Sequence, residues 1–283
     1  MASIFHYNNL KVSLDASTKS LKVLLNRPEK ENAFNREMVF ELEGLIAWVA
    51  AHLEIETLYF GSTLNEFSKG LDLEEMSFMG EEKSFSFYEK ISRLIEAIRC
   101  LPQTTIINLG NKATNIAMEF ALAFDVRLAD NEGQFAFDHI QYGMLPQCGA
   151  ATYLKTEVPT GFVKKWLLSG NPISSDEMLA SGLITQTFDS NKEEATVEQY
   201  LQMFKGLAPV QKIQCKNIIQ HLGFDELKKN QKAEKKNLTA ARMTGDWAST
   251  LEAYKQGKTP EYIPSKSFGY ALQKVKEAEI AKQ

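Results

Sequence analysis

The sequence predicts an α/β fold followed by an all-helical C-terminal region. Two observations carry this. Before residue 190, short stretches of strand pattern alternate with stretches of helical periodicity, which is how α/β domains read. After Asp189 the composition turns to Lys, Gln and Glu, and no strand pattern remains. The chain therefore divides into a core, 1–190, and a helical region, 191–283. At 283 residues it is long enough to bury a sizeable core.

Leu10, Val12 and Leu14 alternate with polar residues, as do Leu21, Val23 and Leu25 across a polar turn at 15–19. This pattern predicts two strands, the second ending at Arg27-Pro28. Asn35 caps a helix with Met38, Leu42, Leu45, Ile46 and Val49 on its inner face. A strand near 57–60 leads into a loop over 61–73 with Gly70 near its end, and 85–100 is helical. Residues 126–129 and 134–137 are short strands, and 138–149 is a loop punctuated by Gly143, Pro146 and Gly149. Helices follow over 150–154 and 161–168. A further helix over 174–180 is capped by Ser174 or Ser175, and 182–187 is a strand.

The segment 106–127 organises the chain. It opens as a buried strand, turns at Gly110-Asn111, and enters a helix from about 115 to 124 with Thr114 or Asn115 as its cap. From 116 to 124 every residue except Glu119 is apolar, so the helix is buried and Glu119 is a candidate buried carboxylate. Such a group suits general acid or base work. The alternative is a glutamate placed for the helix dipole.

A net charge of −4 excludes a bulk field for nucleic acid or an anionic membrane. The Lys-rich run 228–236 reads as a solvated helix face. No apolar run is long enough to span a membrane, and residues 1–7 lack a signal-peptide pattern. Cys100, Cys148 and Cys215 are far apart and form no metal or redox motif, so a reducing cytoplasm is expected. Phosphate-loop, dinucleotide, nucleophile-elbow and zinc-protease motifs are absent. Of the histidines, only His139 sits in a punctuated loop with polar neighbours. The chemical candidates are thus Glu119, His139, Asp138 and the loop around Gly70.

These stretches resemble the crotonase, or enoyl-CoA hydratase/isomerase, superfamily. Residues 25–33, Leu-Asn-Arg-Pro-Glu-Lys-Glu-Asn-Ala, are similar to the family's N-R-P-x-x-x-N-A segment, and 67–73, Phe-Ser-Lys-Gly-Leu-Asp-Leu, to its F-x-x-G-x-D-L loop. Residues 113–125, 135–154 and 170–184 resemble its glycine-rich helix start, the segment after it, and its G-x-x-I-S-A run. The stretch 246–262 resembles its closing helical motif. The resemblance implies a crotonase-like spiral of ββα units with a C-terminal helical trimerisation region, forming a homotrimer or hexamer. It implies an acyl-CoA thioester substrate, with no cofactor beyond the coenzyme A of the substrate. An enolate oxygen would be held by the backbone N–H groups of Lys69 and Ile116, and the CoA portion by Lys69, Gly70, Leu71 and Asp72. Glu119 takes the place of the first hydratase glutamate and His139 that of the second, so this pair is expected to handle the proton or share a water. Asn115-Ile116-Ala117 stands where the family has three glycines. Hydration or isomerisation of an enoyl-CoA is the expected reaction. Thioester or carbon–carbon hydrolysis or decarboxylation, using Asp138 and His139, stays open, as does a non-catalytic acyl-CoA-binding protein.

Overall fold

Alternating apolar residues at 10–25 give a hairpin, β1 (Leu10–Asp15) and β2 (Ser20–Leu25), with Leu14 opposite Leu21. In the computed structural model, which describes residues 6–79, 81–221, 229–232, 237–238, 241 and 244–262, this hairpin begins a six-stranded sheet. Its remaining strands, β3 (Thr57–Ser62), β4 (Thr104–Asn108), β6 (Val126–Asp130) and β9 (Gln186–Phe188), continue from β2 in parallel. β4 and β6 are buried along their whole length, as expected of parallel strands covered on both faces.

A second, three-stranded sheet contains β5 (Lys112–Thr114), β7 (Gln134–Ala136) and β8 (Ile173–Ser174). Single bridges from Ser68 to Ala113 and from Phe34 to Leu71 prolong its edge. The chain visits the large sheet, then the small one, then a helix. β4 and β5 lead to α4 (Ile116–Ala121); β6 and β7 lead to α5 (Ala150–Glu157) and α6 (Thr160–Ser169). This repetition is the expected ββα spiral.

The helices begin as their caps dictate. Asn35 accepts from Met38 N at 2.8 Å and starts α1 (Arg36–Ala51), whose five anticipated apolar residues are all buried. Ser174 starts α7 (Ser175–Ser181) by accepting from Glu177 N at 3.2 Å. Asp72 starts α2 (Leu73–Phe78), which lies between the loop over 61–73 and the helix at 85–100, where the sequence reading assigned no element. α3 (Glu81–Arg99) covers the expected stretch at 85–100. The central helix is shorter than expected. It stops at Ala121 because Leu122, Ala123 and Phe124 fold into tight turns that deliver Asp125 to β6. The strand expected at 182–187 is confined to β9, since Leu183 and Ile184 bond back to Met178 at the end of α7.

After Phe188 the described residues contain helices and no strand: α8 (Glu193–Phe204), α9 (Pro209–His221) and α10 (Asp246–Lys255). Residues 228 and 233–236 of the Lys-rich run lie outside the described residues. α10 packs on the turn at 138–142. Thr250 Oγ1 donates to Tyr142 O at 2.8 Å and Tyr262 OH to Gln141 O at 3.0 Å. No helix among the described residues is long and apolar enough to cross a membrane.

One aromatic side chain fixes α4 in the core. The Phe120 ring lies 5.3 Å from Phe34, 5.6 Å from Phe60, 6.3 Å from Phe67 and 5.3 Å from Phe124, centroid to centroid. These partners come from both sheets and the connections between them, so Phe120 ties α4 to each layer. Phe120→Ala is expected to cost about 3–5 kcal/mol of stability. A denaturant titration with an unshifted midpoint would contradict the packing described.

Candidate active site

The site is built where the small sheet meets the start of α4. Gly70 has φ +88°, and a Cβ there would lie 2.5 Å from Asn115 Cβ and 2.6 Å from Thr114 O. Only glycine fits, and the turn can therefore approach the backbone ahead of α4. Phe34 N donates to Gly70 O at 2.7 Å and Thr114 Oγ1 to Lys69 O at 2.9 Å, which fix the turn on both sides. Asp72 closes it by pairing with Arg27 Nη1 at 2.7 Å. Burial alone would raise the Asp72 carboxyl, but the Glu75 N–H and the Arg27 charge outweigh it and hold the group below its ordinary value.

Asn115 departs from its expected role. It occupies the N-cap position of α4, yet its φ of 55° and ψ of −129° belong to a region glycine favours, and its side chain caps nothing. Asn tolerates positive φ better than most residues, which explains how it replaces a glycine. Its side chain turns instead to Asp138, with Nδ2 donating to Oδ1 at 3.1 Å. The Asn115 Oδ1 is buried and has no hydrogen-bond partner among the described residues. Ile116 likewise stands where the family has a glycine. Its side chain is buried in the core, so it cannot narrow the cleft. Its N–H opens α4, where no intrahelical acceptor exists and the helix dipole favours negative charge. The Lys69 N–H, the other expected oxyanion donor, donates to Glu31 O at 3.1 Å. It would have to leave Glu31 to meet a ligand.

Glu119 and His139 come together as the pairing implied, but in a sealed place. Both are fully buried, and His139 Nε2 lies 3.0 Å from Glu119 Oε1. Neither ring nitrogen has an aligned hydrogen-bond partner among the described residues. Glu119 Oε1 accepts from Gln147 N at 3.1 Å, and Oε2 from Cys148 N at 2.8 Å and Ala150 N at 3.2 Å. A carboxylate offers about four acceptor sites, so the three amides fill most of them and the imidazole packs against the remainder. Direct contact between the pair leaves no space for the water the sequence reading placed between them.

An open cleft of about 370 Å³ lies beside this pair, and neither Glu119 nor His139 lines it. Its walls include Lys69, Leu71, Asp72, Asn115, Asp138 and Tyr254. Tyr254 comes from α10, so the C-terminal region completes the cleft. Asp138 follows the buried Phe137, which stacks on Trp166 at 6.3 Å, so α6 fixes its position. Burial raises the Asp138 carboxyl above its ordinary value, against the opposing pull of His139 and the Asn115 amide. Burial and the nearby Asp138 likewise raise the Tyr142 hydroxyl. Sequence reasoning missed Asn115, Tyr142 and Tyr254 as cleft residues. Only the glycine-to-Asn exchange at 115 carried a signal. A larger groove of about 690 Å³ elsewhere contains none of the candidate residues, and its Lys216 and Arg127 are paired with Asp125 and Glu157. Among the described residues, no three His, Cys, Asp or Glu side chains converge as a metal site.

Comparison with known proteins decides the family. The model of the enoyl-CoA hydratase/isomerase family matches residues 16–263. The chain belongs to that family. YhaR of Bacillus subtilis (strain 168) is 26% identical over 245 residues, covering 85% of this chain and 94% of its own. The 2,3-dehydroadipyl-CoA hydratase of Escherichia coli (strain K12) is 24% identical over 245 residues, covering 86% and 94%. An enoyl-CoA hydratase/isomerase from Pseudoalteromonas atlantica T6c superposes with a TM-score of 0.78 at 20% identity, over 90% of this chain and 100% of its own. The enoyl-CoA hydratase of Bacillus halodurans gives 0.78 at 21%, over 87% and 99%. These superpositions establish the crotonase fold. Membership of the hydratase/isomerase family supports an acyl-CoA substrate.

Glu119→Gln would set an amide NH2 against backbone N–H donors. Loss of charge-assisted bonds to 147–150 is expected to lower stability by about 2–3 kcal/mol, read from thermal unfolding. An unchanged melting temperature would mean that Glu119 does not hold this loop.

Proposed function

We propose that this protein binds an acyl-CoA thioester in the 370 Å³ cleft and acts on an enoyl-CoA through an enolate, by isomerisation or hydration. The observation that carries the reading is the Ile116 N–H, at the dipole end of α4 and beside the Gly70 turn. A Cβ on Gly70 would lie 3.3 Å from that nitrogen. Removing a proton from the carbon next to the thioester sends its electron pair toward the carbonyl oxygen. A fixed N–H donor at a helix N-terminus stabilises charge that develops there. The backbone of 69–72, held by Phe34, Glu31 and Asp72, is preorganised to take the CoA portion.

A second reading has one observation in its favour. The sealed Glu119–His139 contact suits a chain that binds acyl-CoA without turning it over. Crotonyl-CoA and trans-3-hexenoyl-CoA separate the two, by loss and gain of conjugated thioester absorbance, beside calorimetric binding of CoA. Turnover of either is the expected result. Binding without turnover would favour the non-catalytic reading, and absence of both would reject the acyl-CoA reading.

The assembly belongs to the same proposal: a homotrimer or hexamer. Met203 on α8, Leu207 between α8 and α9, and Val210, Ile218 and Ile219 on α9 are exposed apolar residues that a neighbouring subunit would cover. Sedimentation at micromolar concentration is expected to give a trimer or hexamer. A monomer alone would count against this assembly.

A further inference from the structure

We propose that Asp138, positioned by Asn115, is the group that moves the proton, carrying it between C2 and C4 of a 3-enoyl-CoA thioester. This rests on the acyl-CoA reading above and assigns its chemistry to a residue other than the expected Glu119–His139 pair.

Access separates the carboxyls. Glu119 is sealed: it accepts from the amides of Gln147, Cys148 and Ala150, and the His139 ring lies against it. A substrate proton could reach it only after that arrangement broke. Asp138 lines the cleft. Glu31, Asp72 and Glu74 line it too, but Glu31 pairs with Lys69, Glu74 pairs with Lys30, and Asp72 is committed to Arg27 and to the start of α2.

Asn115 adds an independent observation. It is 3% exposed, lines the cleft, and keeps Oδ1 without a donor. A buried acceptor left unpaired is destabilising. Its positive φ adds backbone strain of the kind that collects at working sites. Both costs are explained if Nδ2 aims the Asp138 carboxyl and Oδ1 receives an N–H of the bound pantetheine arm.

A single carboxyl on the cleft that no lysine or arginine holds among the described residues suits a double-bond shift. Asp138 as carboxylate takes a proton from C2, and the C–H electron pair moves toward the thioester carbonyl, giving a dienolate whose oxygen faces the Ile116 N–H. The same carboxyl then returns the proton to C4, and the double bond moves from C3–C4 to C2–C3. Nothing is oxidised or reduced, and no co-reactant enters. Hydration would need a second group to hold water, and the structure has sealed the pair expected to do so. Burial also raises the basicity of Asp138, which favours proton uptake from carbon.

The test uses the whole protein with trans-3-hexenoyl-CoA. Asp138→Asn is expected to lower kcat about a hundredfold or more while KM stays within about twofold. Because the native carboxyl resists ionisation, folded stability is full below the ordinary carboxylate range and falls as pH rises through the raised value. Asp138→Asn is therefore expected to melt at or above the wild-type temperature at neutral pH, with the advantage vanishing in acid. Wild-type kcat should rise with pH through the ionisation of Asp138. The other titratable groups on the cleft or beside Asp138 are His139 and Tyr142 on its own turn, and Lys30, Glu31, Lys69, Asp72, Glu74, Lys112 and Tyr254 from the elements around the cleft. A wild-type enzyme that isomerises, with Asp138→Asn within about threefold of it, would overturn this assignment and leave the acyl-CoA reading standing. So would hydration of crotonyl-CoA without isomerisation. If the Asn variant fails to fold, the wild-type pH profile decides, and a rate independent of pH across the acid limb overturns the proposal. Absence of both turnover and thioester binding would instead reject the underlying reading.

Discussion

The arrangement depends on the Glu119 carboxylate and the three backbone N–H groups it gathers. Residues 147–150 end a loop and begin α5, where unpaired amides must find an acceptor or remain in water. A buried carboxylate on α4 supplies it. The contact joins the central helix to the segment that follows the 138–142 turn, while Phe120, the next residue, anchors α4 to both sheets. Two neighbouring residues thus fix the axis and rotation of a helix only six residues long. Its first N–H is placed accordingly.

Fixing α4 sorts the polar groups by access. Residues on its inner side, Glu119 and the His139 that contacts it, are closed off from solvent. The residue before the helix, Asn115, bends the other way because its φ is positive, and meets Asp138 on the cleft. Neighbours at 138 and 139 therefore lie in opposite environments. One carboxyl is raised by burial yet borders open space, while the adjoining imidazole is sealed. The turn carrying both is held by the Phe137–Trp166 stack and by α10, so core and C-terminal region jointly shape the cleft.

Much of the fold was legible along the chain. The β1–β2 alternation, the inner face of α1 and the Asn35 and Ser174 caps are local patterns, and local physics suffices to produce them. The strand at 182–187 was misplaced because Leu183 and Ile184 are apolar for a different reason: they bury a turn against Met178. The cap at Asn115 was misjudged because composition favours Asn at an N-cap but cannot report a positive φ.

The sequence by itself determined the order of elements, the family and the group of residues around the site. Periodicity, turn chemistry and motif spacing are properties of consecutive residues. Only the tertiary structure decided which of those residues border the cleft. Glu119 read as a buried carboxylate on the central helix, and Asp138 and His139 as titratable neighbours in one loop. Their difference lies in what surrounds them: amides from 147–150 around Glu119, an open wall beside Asp138, and Tyr254 arriving from more than a hundred residues away. Burial and hydrogen-bond saturation come from contacts between distant segments, and no local pattern encodes them.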